Sequence, residues 1–542
     1  MDTTPGPLPD AAARTRFPRL CVSAASGGGG KTLLTLGLAR AFRQAGLAVK
    51  PFKKGPDYID AAWLGRAAGM PATNLDPFFL APGELAELLG RSMDAVRREG
   101  APPGVPTSQG AALLGLVEGN RGLFDGLDAE GSCSTARLAR ALACPLLLCL
   151  DATKMTRTAA ALLAGLTTFE PGLTFCGVVF NRVGSPRHAA ALRRAMAARL
   201  DLPVLGVLPR LAKNPLPERH MGIASRGGDL ADEAEALLDD LARLVREHVE
   251  VEAVLAAARN APPLPGVETG EVENTAEVAA ASREVEKSPA GVEWPRSTAG
   301  AACAVPSPRR HRRPRIGYAR DAAFWFYYPE NLAALEAAGA ETVPLALTDA
   351  PNAEKALWET LDGLYLGGGF PEDFLPRLSG APVLETLAAL SRAGLPVYAE
   401  CGGLLLLSQG MEREDAFWPL AGVLPLRALW TARPQGLGYV EAQVRQANPF
   451  FPVGLVLRGH EFHYSRCVRE PGAPAPALAL RRGTGMGACA DDAREDAADG
   501  GAGDGLVCGN TWGAYTHIFA PAVPCWAPRV AAAAAAWRAA RS

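Results

Sequence analysis

Apolar runs and helix-period segments alternate along the first half of the chain. Residues 17–23 (FPRLCVS) form a short apolar run that passes through SGGGGKT into LLTLGLARAFRQAG, where apolar positions recur at helical spacing until Gly46. A second strand is predicted at LAVKPFK. The same pairing recurs: GLVEG (115–119), PLLLCLDA (145–152) before TAAALLAGL, TFCGVVFNRV (174–183) before HAAALRRAMAARL, and PVLGVLP (203–209). Strands that are apolar throughout, separated by amphipathic helices, predict an α/β fold with a parallel sheet covered on both faces.

The pattern breaks at about residue 260. From 259 to 314 the chain is rich in Pro, Glu, Ala and Ser with little apolar periodicity, which predicts a disordered linker ending in the basic run RRHRRPR (309–315). A second α/β region opens at RIGYAR (315–320). It continues through NLAALEAAGA, DGLYLGGGFPE (362–372), a helix around 382–393 and PVYAECGGLLLLS (396–408). Residues 483–505 (GTGMGACADDAREDAADGGAGDG) read as a low-complexity surface insertion before GLVCGNTWGAYTHIF. Two domains follow, 17–258 and 315–525.

Composition narrows the function classes. With 542 residues and 48% hydrophobic content the chain is too large for one small binding module and has ample material for cores. Lys plus Arg (55) nearly balance Asp plus Glu (57), so no global basic field draws nucleic acid or anionic lipid. The first residues lack an apolar core of signal-peptide type, and no apolar run reaches the ~18 residues of a membrane span. Eleven cysteines with no C-x-x-C pair predict reduced thiols and a cytoplasmic location.

Two segments carry chemistry. In SAASGGGGKTLL, Gly27, Gly28, Gly29 and Gly30 precede Lys31 and Thr32 between a strand and a helix. Glycines let backbone N–H groups converge on phosphate oxygens, Lys31 reaches the β and γ phosphates, and the Thr32 hydroxyl can ligate Mg²⁺. Ala25 stands where the strict phosphate-loop pattern has glycine. Carboxylates for the metal are Glu118 in GLVEGNRGLFDG and Asp57 or Asp60 in KKGPDYID, with Lys53 and Lys54 placed to stabilise charge on a transferred phosphoryl group.

The second segment is VYAECGGLLLLS, in which an apolar strand turns sharply through Cys401-Gly-Gly into an apolar helix. The shape is that of a nucleophile elbow, and a following helix N-terminus lowers a thiol's pKa. His517 in GAYTHIF is the candidate base, with His460 and His463 (RGHEFHYS) competing. The LGGGFPE turn (366–372) offers backbone donors for an oxyanion. The set suits acyl transfer, including amide hydrolysis.

With KKGPDYID, NLD, VEGNRGLFDG, LPERHMG, ARDAAFWFYYPENL, DGLYLGGGFPE, YAECGGL and GHEFHYS in this order, the chain resembles the cobyrinic acid a,c-diamide synthase family over residues 17–258 and 315–525. These are glutamine-dependent amidases of corrinoid biosynthesis. The resemblance implies an N-terminal P-loop domain like dethiobiotin synthetase and a C-terminal triad-type (class I-like) glutamine amidotransferase domain. It implies that Cys401, kept nucleophilic by His517, releases ammonia from L-glutamine. It further implies that ATP with Mg²⁺ phosphorylates the a and c acetates of a tetrapyrrole polycarboxylate, and that ammonia displaces the phosphate. Thr32, Asp57 and Glu118 match positions that place Mg²⁺, and Asn181 in VVFNRV matches one that meets adenine. A homodimer is expected, with no nucleic-acid or membrane partner. Relatives acting on nickel sirohydrochlorin, cobyric acid synthases and, from another class, P-loop partition ATPases are the rival readings; a partition ATPase has no use for Cys401 and His517. Two departures stand out: Leu64 replaces a histidine usual near PDYID, and Phe519 stands both where H-x-H has its second histidine and where related glutaminases carry the acidic third member of the triad.

Overall fold

A computed structural model describes residues 17–99, 112–211, 229–266, 312–348, 355–487 and 502–541. The LPERHMG motif, most of the expected linker and residues 488–501 lie outside them.

The first domain is built on a seven-stranded parallel sheet. Its strands lie in the spatial order Thr73–Leu75, Ala48–Lys54, Leu113–Glu118, Arg19–Ala24, Leu146–Asp151, Phe175–Val183, Val204–Pro209. Strand Arg19–Ala24 is buried at every position and alternates between two cores: Leu20, Val22 and Ala24 face the helices Lys31–Gln44 and Asp229–His248, while Cys21 faces the opposite layer. That is why the strand is mostly apolar, with its two polar residues, Arg19 and Ser23, buried as well. Its register sets Val22 beside Glu118 and Ala24 beside Cys149, so the phosphate loop and the ends of its neighbours emerge at one sheet edge. Packing continues past the expected boundary at 258. Leu264 is buried in the first core and the Pro262 carbonyl accepts from the buried Arg19 guanidinium.

The second domain centres on a six-stranded sheet ordered Glu341–Leu345, Arg315–Ala319, Gly363–Leu366, Val397–Glu400, Thr511–Ala514, Leu506–Cys508. All neighbours are parallel except the last pair. An antiparallel sheet of Gly503–Asp504, Leu478–Arg482, Gly436–Val444, Val456–His463 and His517–Ile518 flanks it. The helix Trp526–Arg541, beyond the expected limit at 525, buries Trp526, Val530 and Ala534 in the same core. The ends of the segment read as a surface insertion are structural: Met486 and Asp504 are buried, and Thr484 and Gly485 donate backbone N–H groups to Glu461.

The two domains are docked through aromatic and polar contacts. Phe78 stacks on Tyr439 with ring centroids 4.3 Å apart, and the Tyr439 hydroxyl donates to Asp76 at 2.8 Å. Phe519 packs on Phe79 at 5.8 Å and against Tyr328 at 5.0 Å, so the residue that replaces a histidine and a carboxylate serves this interface. Leu64 is wholly buried in the helix Tyr58–Ala68, where it fills core. Among the described residues no helix is long and apolar enough to cross a membrane.

Candidate active sites

The phosphate loop joins strand Arg19–Ala24 to helix Lys31–Gln44. Gly28 and Gly30 have φ of 70° and 100°, which side-chain-bearing residues rarely adopt. A Cβ on Gly30 would also collide with the Asn181 amide, which donates to the Gly29 carbonyl at 3.1 Å. Asn181, expected to meet adenine, is thus also a brace under the loop. Gly27 and Gly28 are exposed and open on their outer side. The Thr32 hydroxyl donates to Glu118 Oε1 at 2.6 Å, and Lys53 Nζ lies 3.2 Å from the same oxygen and 2.6 Å from Asp60 Oδ2. Lys31 is buried, with Nζ 3.4 Å from the Ser26 carbonyl.

Charges in this cluster perturb one another. Burial pushes Glu118 up to about 7, with Lys53 opposing and Asp60 reinforcing. Burial and then Asp60 push Asp57 up to about 6, against Lys53. Burial lowers Lys53, yet Asp60, Glu118 and Asp57 outweigh it and hold the ammonium well above its usual range. Lys31 is lowered chiefly by burial, with Glu118 resisting. Glu118 Oε2 is buried and has no hydrogen-bond partner. Asp57 is placed differently from Glu118: its Oδ1 accepts from the N–H groups of Ile59 and Asp60, capping the helix, and Asp60 is the carboxylate that meets Lys53.

In the second domain, strand Val397–Glu400 runs parallel to Thr511–Ala514 with Glu400 opposite Ala514. The Cys401 N–H donates to the Ala514 carbonyl at 2.8 Å, and His517 follows three residues later. Cys401 and His517, 116 positions apart in sequence, therefore both lie near the end of strand Thr511–Ala514, with no hydrogen bond between them. Cys401 itself has φ 48° and ψ −101°, the strained elbow its Cys-Gly-Gly turn predicts. A Cβ on Gly402 would sit 3.1 Å from the Gly369 nitrogen, and one on Gly403 would strike the Leu366 carbonyl. Those two glycines let the elbow pack against the LGGG turn, and a Cβ on Gly368 would meet His517 Nε2 at 3.2 Å.

One expectation is reversed. Burial pushes the Cys401 thiol well above its usual value, Glu372 adds to the effect, and the Gly402 N–H only partly offsets it. The helix that follows spans only Gly402–Leu407, and its N-terminus is outweighed by desolvation. Cys401 Sγ contacts the Phe462 carbonyl at 3.5 Å, and His517 Nε2 is buried without a partner.

The two competing histidines differ in their placement. His463 is bonded through Nδ1 to the Ser465 carbonyl at 2.6 Å, lies 3.4 Å from Glu461 and stacks on Tyr515, which makes it structural. His460 pairs with His517 across the antiparallel sheet and stacks on it at 4.8 Å; burial, then His517, lower its pKa far below the usual value and keep it neutral.

Three residues of this site escaped sequence reasoning. Glu400 Oε2 lies 3.5 Å from His517 Nδ1, and the carboxylate also accepts from the Tyr365 and Tyr398 hydroxyls and the Ile518 N–H, each at 3.0 Å. It precedes the nucleophile, whereas the position two after the histidine is Phe519. Asp504, inside the expected insertion, accepts from Tyr515 N, Thr516 N and Thr516 Oγ1, holding the turn before His517. Tyr58, in a motif read only for its carboxylates, brings its hydroxyl to 3.4 Å from His517 Nδ1.

Between the two sites lies a cleft of about 410 Å³, lined by Lys54, Asn120 and Arg121 on one side and Tyr439, Phe462 and Arg482 on the other. Leu437, 68% exposed, lies at its wall.

Residues 20–223 match the CobQ/CobB/MinD/ParA nucleotide binding domain family, and residues 315–523 match the CobB/CobQ-like glutamine amidotransferase domain family. Over 518 residues the chain is 36% identical to the cobyrinate a,c-diamide synthase of Magnetococcus marinus, covering 95% of this chain and 97% of that one. It is 37% identical over 460 residues to the enzyme of the same name from Syntrophotalea carbinolica, covering 84% and 88%. Among solved structures, a glutamine amidotransferase aligns with 41% of this chain and 98% of its own at 15% identity and a TM-score of 0.29.

Proposed function

The chain belongs to the cobyrinate a,c-diamide synthase family, and from that premise we infer that it is a carbon–nitrogen ligase that amidates the a and c acetate carboxylates of cobyrinic or hydrogenobyrinic acid with ATP and glutamine. The observation that carries the reading is the placement of Cys401 and His517 near the end of the same strand, Thr511–Ala514, in a chain that also holds Thr32 and Glu118 at a phosphate loop.

Cys401 attacks the glutamine side-chain amide. His517 takes the thiol proton through its unpartnered Nε2 and returns a proton to the departing ammonia, and water then frees glutamate from the thioester. Burial, by raising the thiol's pKa, favours removal of its proton by the imidazole as the sulfur attacks. In the first domain a carboxylate oxygen of the tetrapyrrole attacks the γ phosphate of ATP, the bond to the β phosphate breaks and ADP leaves. Ammonia displaces phosphate from the resulting acyl phosphate, because a free carboxylate is too poor an acyl donor. Lys31 and Lys53 stabilise the charge that develops on the phosphoryl oxygens, Thr32 and the phosphate-loop glycines hold the phosphates, and Asn181 braces the loop near the base.

Magnesium fits this site. Among the described residues no group of three His, Cys, Asp or Glu side chains gathers to hold a metal alone. Mg²⁺ keeps waters and phosphate oxygens and needs only one or two carboxylates, and the orphaned Glu118 Oε2 would be such a ligand, with the Thr32 hydroxyl beside it; Asp57, expected as a second ligand, has one oxygen engaged in capping its helix. When bound, Mg²⁺ would neutralise charge on the β and γ phosphates.

The cleft supports a polycarboxylate substrate. Lys54, Arg121 and Arg482 suit peripheral carboxylates and Leu437 an apolar macrocycle, so the acetate-bearing edge enters from the open side. It also reaches Phe462, whose carbonyl touches Cys401, so the cleft borders the site that would release ammonia. A cytoplasmic setting and a homodimer go with this reading; the described cysteines, all free thiols, support the first.

The test is mass spectrometry of cobyrinic acid, hydrogenobyrinic acid and nickel sirohydrochlorin, each incubated with ATP, Mg²⁺ and either glutamine or ammonia. A diamide from one of the first two is expected, and Cys401→Ala should make it from ammonia alone. Amidation of nickel sirohydrochlorin alone would overturn the substrate assignment, and failure of ammonia to rescue Cys401→Ala would overturn the nucleophile.

A further inference from the structure

His517 is wholly buried, so the hydrogen bonds that orient its ring come from protein groups. To accept the thiol proton at Nε2, the neutral ring must carry its hydrogen on Nδ1. Two acceptors face Nδ1: Glu400 Oε2 at 3.5 Å, from the glutaminase domain, and the Tyr58 hydroxyl at 3.4 Å, from the nucleotide-binding domain.

Tyr58 is itself tightly held. Its ring stacks on Phe326 at 4.9 Å and lies 4.5 Å from Tyr328, whose hydroxyl donates to the Pro56 carbonyl at 3.1 Å. Burial, with Tyr328 and Glu400 adding, raises its phenol far above the usual value, so the hydroxyl stays neutral. In sequence it is the first residue of the helix capped by Asp57, and within that turn Asp60 pairs with Lys53, which touches Glu118, which accepts from Thr32. The phosphate-loop cluster and the glutaminase base are thus joined by consecutive direct contacts through one helical turn.

We propose that Tyr58 is a positioning residue for the glutaminase: its hydroxyl, supplied by the ATP-using domain, shares with Glu400 the task of holding His517 Nδ1, so that glutamine is hydrolysed at full rate only while the Asp57–Asp60 turn is docked. This rests on the amidotransferase reading above. One of the two groups orienting the base belongs to the domain that consumes the ammonia, and a glutaminase domain whose partner turn has shifted keeps its nucleophile but loses half the grip on its base.

The experiment is steady-state glutamine hydrolysis by the full chain without tetrapyrrole, comparing wild type, Tyr58→Phe, Glu400→Gln, the double variant and Cys401→Ala. Tyr58→Phe keeps the ring that stacks on Phe326. Its kcat should fall about tenfold with the glutamine KM unchanged, since the hydroxyl orients the base and touches no glutamine. The double variant should lose less than the product of the single losses, because both groups hold one nitrogen. A wild-type kcat, a raised KM at wild-type kcat, or fully multiplicative losses would each overturn the proposal while a dead Cys401→Ala leaves the amidotransferase reading standing. Hydrolysis that survives Cys401→Ala would overturn that reading first, and the proposal with it.

Discussion

Glu118 and Glu400 are both wholly buried glutamates at the last residue of a central parallel strand, and they are finished in opposite ways. Glu400 has acceptor work for both oxygens: Tyr398 and Ile518 N on Oε1, Tyr365 and the His517 ring on Oε2. Glu118 has Thr32 and Lys53 on Oε1 and nothing on Oε2. A buried carboxylate with an empty oxygen is costly, and that cost shows as a pKa pushed up to about 7. Equal burial therefore marks different purposes. Glu400 is complete without ligand and lies against His517, while Glu118 keeps one oxygen free, as the proposed cation site requires.

The sharpest way to break this contrast is Glu118→Gln. Removing the charge that a cation needs should lower amidation about 10³-fold with either glutamine or ammonia, while glutamine hydrolysis stays within a few-fold. Measured side by side, equal loss of both activities would show that Glu118 is no more a ligand site than Glu400. The mirror experiment is Glu400→Gln. An amide cannot accept from all of its neighbours, so kcat for glutamine hydrolysis should fall about 100-fold, with ammonia-driven amidation kept.

A third carboxylate gives the smallest effect and sharpens the comparison on the stability side. Glu372 is buried beside Cys401 with an unpartnered Oε2, and burial pushes it up to about 7 from the ordinary 4.5. Between those values the unfolded chain releases a proton that the folded chain keeps, so stability declines as pH rises through that window and levels off above it. Glu372→Gln removes the decline. It should raise stability by about 2 kcal/mol at pH 8 and leave it unchanged at pH 4 in denaturant titrations, since the amide offsets part of the ~3 kcal/mol span. A gain of the same size at both pH values would refute the assignment.

How legible each site was follows from how its parts are spaced. The phosphate loop lies within a few residues of chain, and its glycines, Lys31 and Thr32 announce themselves because one strand-loop-helix unit must supply them together. The elbow at Cys401 is local too, and its two glycines were visible as a turn. The partners of His517 were not. The usual position for its carboxylate holds Phe519, which packs on Phe79 of the other domain, and the carboxylate comes instead from the residue before the nucleophile. Asp504 was lost inside a stretch whose composition reads as insertion, although it caps the turn before His517. The thiol's pKa ran against expectation because a six-residue helix offers less than full burial removes.

By itself, then, the sequence determined the two α/β domains, the alternation that buries both faces of a parallel sheet, and the two short motifs where a backbone must approach phosphate or turn around a thiol. Those are properties of contiguous residues, governed by side-chain period and by glycine's conformational freedom. Only the tertiary structure decided which carboxylate faces His517, that Asp57 caps a helix while Asp60 meets Lys53, and that a tyrosine of one domain reaches the base of the other. Each depends on strand order and domain docking, which bring together side chains far apart in sequence and set how much water remains around them, and burial is what turns a nearby charge or hydroxyl into a controlling one.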